Sequence, residues 1–149
     1  MSTPLYLSNN FIQRALEEDI PLSPMKLQKL IYFTFRDHLQ STGSIKLFND
    51  PICAWKHGPV VEAVYTHFKP FKADSINRFY RDSNDDVYVI DEKSEPFGKV
   101  LDAIWQRYKH LNGIDLSLIT HTEGSAWYKA WTTQKPFLDD EDILHERIY

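Results

Sequence analysis

Two histidines and a glutamate, His57, His121 and Glu123, are the side chains of this chain best suited to move protons or hold a cation. Imidazole exchanges a proton near neutral pH and a carboxylate can orient it or act as the base, so together with Glu62 they offer a hydrolytic pair or a metal site. Their spacing argues against both. The chain has no His-Glu-x-x-His pattern, no paired cysteines and no aspartate-rich calcium loop, so no metal or other cofactor is expected. A serine nucleophile elbow and a phosphate-cradling glycine loop are absent too. Cys53, the only cysteine, sits in an apolar run where packing is the commoner role. His38 falls on the broad face of a long helix and reads as a satisfied, partly buried histidine.

The segments that carry these residues are more informative than the residues themselves. In Ala54-Trp55-Lys56-His57-Gly58-Pro59-Val60-Val61 the Gly-Pro pair predicts a helix start, because Gly58 tolerates a cap conformation and Pro59 has its φ already set. Val60, Val61, Val64, Tyr65 and Phe68 then follow at helical spacing until Lys69-Pro70. Free N–H groups at such a start, with Lys56 and His57 beside them, would receive either an external carboxylate or phosphate or an internal acid such as Glu123. Thr120-His121-Thr122-Glu123 reads as a turn whose hydroxyls and carboxylate bond nearby backbone. Ser125 can cap the helix that follows, placing Trp127 and Trp131 one turn apart.

The elements that must position these segments are mostly helical. Ser8 or Asn9 can cap a first helix ending near Ile20-Pro21, and Ser23-Pro24 opens a second running to about Thr42 with Gly43 as its stop. Leu27, Leu30, Ile31, Tyr32, Phe33, Phe35 and Leu39 give this second helix too wide an apolar face for a surface helix. It is expected at the centre, roughly 30 Å long. Ile76–Tyr80 and Val87–Ile90 have strand composition around a polar Asp82–Asp86 loop and predict a β-hairpin lying on the helices or pairing near Ala54. From Phe97 to Leu111 apolar residues recur on one face, Asn112-Gly113 ends that helix, and Asp115 can cap a short one through Ile119. The acidic run Asp139–Asp142 suits the N-terminus of a last helix carrying Ile143, Leu144, Ile148 and Tyr149. The expected architecture is mainly α, within α+β: a single compact helical domain over residues 1–149 with a long central helix and a small antiparallel β-hairpin.

Composition sets outer bounds. The 149 residues are 42% hydrophobic and 14% aromatic, enough for a sizeable core without disulfides. A formal charge of −4 offers no general attraction to nucleic acid or anionic membrane. The N-terminus lacks a basic region followed by an apolar stretch, and no run approaches the roughly eighteen apolar residues of a membrane span. The chain is therefore expected in the cytoplasm.

Read in order, Met25-Lys26-Leu27-Gln28-Lys29-Leu30-Ile31-Tyr32-Phe33, His38-Leu39, Ala54 through Val61, Tyr65, and Leu118 with Thr120-His121 and Glu123 closely resemble the Panacea domain family. That family includes phage-associated GepA-like proteins and the SocA-like proteolytic adaptor, and the likeness runs from about Ser23 to the C-terminus. The Trp-Lys-His-Gly-Pro-Val block is its most specific part. Two departures are Phe71–Ser75, where a glycine is usual, and Gly124-Ser125-Ala126, where a proline-tryptophan pair is common. The resemblance implies an antitoxin that neutralises a cognate toxin by direct binding, with delivery to a bacterial protease as a narrower version. Trp55, Lys56, His57, Gly58, Pro59, Tyr65, Thr120, His121, Glu123 and Trp127 are the expected scaffold or partner-binding residues, meeting in space as a docking platform. The competing expectations are a small hydrolase using His57, His121 and Glu123, and a mobile-element regulator that binds DNA.

Overall fold

Ser23 donates nothing to the helix it starts; its hydroxyl accepts from the Lys26 N–H, Pro24 follows at the first helical position, and Gly43 closes the far end at φ 80°. These signals fix the long central helix α2 (Pro24–Thr42), as the sequence predicts. The computed structural model describes residues 3–147. Around α2 stand α1 (Thr3–Glu18), strands β1 (Ile52–Trp55) and β2 (Gly58–Val61), α3 (Glu62–Phe68), α4 (Phe97–Tyr108), α5 (Gly113–Thr120), α6 (Ala126–Thr132) and α7 (Asp140–Leu144). The fold is mainly α with one small antiparallel sheet, as expected.

The central helix packs against α1, α3, α4, α5, α7 and β2. Such enclosure explains the width of its apolar face, with Leu27, Leu30, Ile31, Phe33 and Phe35 each 0–1% exposed. Phe33 stacks on Tyr108 of α4 at 4.7 Å, and the fully buried Trp105 donates its indole N–H to Glu18 at 2.7 Å. Enclosure also buries Lys26, Gln28, Lys29 and Arg36, which the helix carries between its apolar residues. Each must then find an acceptor inside the protein.

The hairpin is where the structure departs most from the sequence reading. Ile76–Tyr80 and Val87–Ile90 form no strands; α1 takes their place as a pairing partner. Asn9 donates to the Tyr80 and Tyr88 carbonyls at 3.0 and 2.9 Å and accepts from the Tyr80 N–H at 2.8 Å. Asn10 does the same for Ile90, donating at 2.9 Å and accepting at 2.9 Å. Two side-chain amides thus satisfy backbone groups that a ladder would otherwise require. Asn9 is accordingly no helix cap: α1 begins at Thr3, and Ser8, Asn9 and Asn10 are buried within it.

The actual hairpin is β1–β2, with Ile52 opposite Val61, Cys53 opposite Val60 and Trp55 opposite Gly58. Gly58-Pro59 therefore opens a strand, and the helix starts only at Glu62. A proline is tolerated here because Ala54, its partner in register, directs its own N–H away to the Pro136 carbonyl at 2.9 Å. In such a pair the ladder asks no N–H of Pro59. Leu138 N–H bonds Ile52 at 2.8 Å, so it is residues 136–138 that pair with the Ala54 segment.

The remaining boundaries shift slightly. Helix α4 ends at Tyr108 rather than Leu111, and Asn112, not Asp115, caps α5 by accepting from the Asp115 N–H at 2.8 Å. Ser125 caps α6, and Asp139 caps α7 through the N–H groups of Glu141 and Asp142, as expected. Ile148 and Tyr149 lie outside the described residues.

Candidate functional site

The two-residue turn Lys56-His57 brings β1 back as β2 and lays the hairpin on the α5–α6 corner. Trp127 donates its indole N–H to the Trp55 carbonyl at 2.6 Å, and Ser117 donates its hydroxyl to the His57 carbonyl at 2.5 Å. The Trp55 segment and the Thr120–Trp127 segment thus meet, some sixty residues apart in sequence. At the other edge Gln28 of α2 mimics a neighbouring strand, donating to the Val61 carbonyl at 3.0 Å and accepting from its N–H at 2.9 Å. Beneath the turn Lys29, only 1% exposed, donates its ammonium to the Pro59 carbonyl at 3.2 Å.

Gly58 makes this approach possible. Its φ is 113°, and a Cβ added there would lie 2.6 Å from Thr120 Oγ1 and 2.8 Å from Lys29 Cε. Backbone conformation and space both demand glycine. Gly58→Ala is accordingly expected to cost about 2–4 kcal/mol, measured by chemical denaturation. The same change at Gly124, whose φ is 90° but whose added Cβ would meet nothing within 4 Å, should cost less. Equal losses at the two sites would remove the packing part of this argument.

The corner itself is a turn held by hydroxyls. Thr120 donates to the Ser117 carbonyl at 2.6 Å, Thr122 to Ile119 at 2.7 Å, and Ser125 to Thr120 at 2.9 Å. His121 stacks on Trp127 with centroids 4.1 Å apart and Trp127 on Trp131 at 5.5 Å, giving a three-ring stack. Burial, and then the neighbouring Lys29 and His57, hold His121 below the usual histidine pKa. Trp55 meets Tyr65 edge-on at 4.9 Å. Lys56 and His57 are exposed at the turn.

Glu123 does not join this arrangement. It is exposed and makes no hydrogen bond to the turn or to His57, and because Gly58-Pro59 opens a strand, the helix-start N–H groups it is expected to satisfy are not formed there. The buried acid of the neighbouring α6 start is Glu146: it accepts from Tyr32 Oη at 2.9 Å, Arg36 Nη1 at 3.0 Å and the Ala126 N–H at 2.8 Å. No hydrogen bond links His57, His121 and Glu123 in a relay, and no group of three metal-type side chains comes together among the described residues. Cys53 is buried 4.0 Å from a Glu62 oxygen, and burial followed by that carboxylate pushes its thiol pKa up. His38 is buried and bonds the Ile45 carbonyl at 3.1 Å, as the sequence suggests.

Glu146 and Lys29 are what sequence reasoning missed. A signal for Lys29 exists, since a helix whose apolar face is too wide for a surface helix is expected to bury lysines set among its apolar residues; nothing in the local sequence marks Glu146.

A hairpin turn latched onto a helical corner by backbone carbonyls, with an aromatic stack behind it, defines a small, mainly helical domain. The model of the antitoxin SocA-like, Panacea domain family matches residues 27–128, and the chain belongs to that family. It is 27% identical over 131 residues to Antitoxin SocA of Caulobacter vibrioides (strain NA1000 / CB15N), covering 81% of this chain and 66% of that protein. The chain thus spans just under two thirds of that relative's length. No solved structure matches it. No helix among the described residues is long and apolar enough to cross a membrane.

Proposed function

We propose that this protein is the antitoxin of a toxin–antitoxin pair and neutralises its toxin by direct protein–protein binding. The observation that carries this reading is the family match over residues 27–128, which contains both the hairpin turn and the α5–α6 corner. Geometry supports it in a specific way. Trp127, Ser117 and Thr120 spend their polar atoms on the backbone of the hairpin and the corner, which makes them scaffold residues. What they leave outward is contact surface: Lys56, His57 and Tyr65 are exposed around the turn. A stable complex would bury about 1,200–2,000 Å² in total, anchored by a few aromatic or basic residues.

Co-expression with the product of the adjacent gene tests the proposal. The expected result is that the neighbour arrests growth alone, growth returns with this chain, and the two co-purify. Failure of every neighbour to be toxic alone or to co-purify would overturn it. Delivery to a bacterial protease predicts in addition that the toxin's half-life shortens when this chain is present, and an unchanged half-life removes that version.

A further inference from the structure

Beside the latched turn lies a groove of about 670 Å³ bounded by α2, the hairpin and α3, with Trp55, Val60, Val64 and Tyr65 as apolar walls. Four lysines line it, Lys29, Lys56, Lys69 and Lys72, and the lining contains no carboxylate. In a chain of formal charge −4 this is a local reversal of sign. Elsewhere Arg14, Lys46 and Lys109 are matched to Glu92, Asp140 and Glu18 at 2.6–3.0 Å. The four groove lysines have no ion-pair partner among the described residues.

Two of them occupy positions that folding alone does not favour. Lys29 is 1% exposed, and of its three donors only one meets an acceptor, the Pro59 carbonyl. Lys72 adopts φ 56°, ψ −115°, a region that ordinarily requires glycine. Chains tend to keep such costs where a ligand repays them.

We propose that the groove is the seat of an acidic segment of the toxin, one carboxylate settling near the Lys29 ammonium and an adjoining apolar side chain packing against Trp55 and Tyr65. This rests on the antitoxin reading above and names the surface it uses. Charge complementarity selects the occupant: apolar walls suit a side chain buried on binding, and a cluster of cations without carboxylates favours an anionic one. The surface continues beyond the groove. Gly113 of α5 seats against Met25, a lining residue, and the next turns present Ile114 and Leu118 at 66% and 63% exposure.

The test measures the affinity of the purified neighbouring-gene product for the wild type, for the exposed double variant Lys56→Glu/Lys69→Glu, for Lys29→Met, and for Lys46→Glu, which lies outside the groove. Both groove variants should bind at least about tenfold more weakly, Lys46→Glu should change by less than about twofold, and wild-type affinity should fall as salt rises. The double variant alters only exposed side chains and so reads the groove independently of any change in stability at Lys29. Binding of the toxin within about twofold of wild type by the groove variants would overturn the groove and leave the antitoxin reading standing. Absence of any binding to the wild type would overturn both. A change of self-association without loss of toxin binding would assign the groove to a second copy of this chain and equally overturn the proposal.

Discussion

Replacing Lys29 by methionine is expected to stabilise this protein at pH 7. Burial pushes the Lys29 ammonium down from 10.5 to about 7, because an ammonium enclosed by Gly58, Thr120 and Pro59 loses its water and regains one carbonyl. The sign follows from proton counting. Below pH 7 the lysine is charged in both states, and the folded one bears the full desolvation cost. Between pH 7 and 10.5 the unfolded chain binds a proton that the folded chain has released, so stability climbs with pH by up to about 1.4 kcal/mol per unit. Above 10.5 the difference is gone. Methionine fills nearly the same space without a charge, so the variant should exceed the wild type by on the order of 4 kcal/mol at pH 7 and converge with it toward pH 10.5. Denaturant melts of both proteins at a series of pH values check this. A stability difference independent of pH would show that the ammonium is solvated where it stands. The result also bears on function: a residue that weakens the fold and whose removal weakens toxin binding is retained for the contact.

The long helix, its two caps and its central place were legible because Ser23-Pro24, Gly43 and an apolar face wider than a surface helix needs all agree. The meeting of the Trp55 and Thr120–Trp127 segments came from family likeness, and local pattern had no access to it. Gly58-Pro59 was misread for a definable reason. A glycine with φ 113° and a proline at −65° or so serve a strand after a two-residue turn as readily as a helix start, and the choice falls to the pairing of Val60 and Val61 with Cys53 and Ile52. The misplaced hairpin has a similar cause. Ile76–Tyr80 and Val87–Ile90 form no strands, and Asn9 and Asn10, about seventy to eighty residues earlier, bond the Tyr80, Tyr88 and Ile90 backbone that a ladder would have used. Sequence period reports which face is buried; it does not report which group supplies the hydrogen bond.

Glu146→Ala is expected to be among the most damaging single changes in the chain, although the residue stands three positions before the C-terminus in the given sequence. Its side chain is 2% exposed and joins two elements through three groups: Tyr32 and Arg36 of α2, and the Ala126 N–H that opens α6. That N–H is one of the donors a helix start leaves unpaired, so the carboxylate both satisfies it and lies at the positive end of α6. Burial alone would lower the Arg36 pKa; Asp37 and Glu146 outweigh it and raise it, so the guanidinium is charged in the folded state and needs both. Alanine at 146 removes one counter-charge, one phenol partner and the acceptor of the first α6 N–H at once, a loss of about 3–5 kcal/mol by denaturant unfolding. Pairing Glu146→Leu with Arg36→Met should recover part of that loss, since two apolar side chains leave no buried charge behind. The consequence reaches the candidate site because Ala126 precedes Trp127, whose indole holds the Trp55 carbonyl. In Glu146→Ala, at temperatures where the chain is still folded, tryptophan fluorescence should shift to longer wavelength and toxin affinity should fall with it. A folded variant that keeps wild-type fluorescence and stability would mean that α6 is held by its packing on β1 alone, and that the buried carboxylate is incidental to the latch.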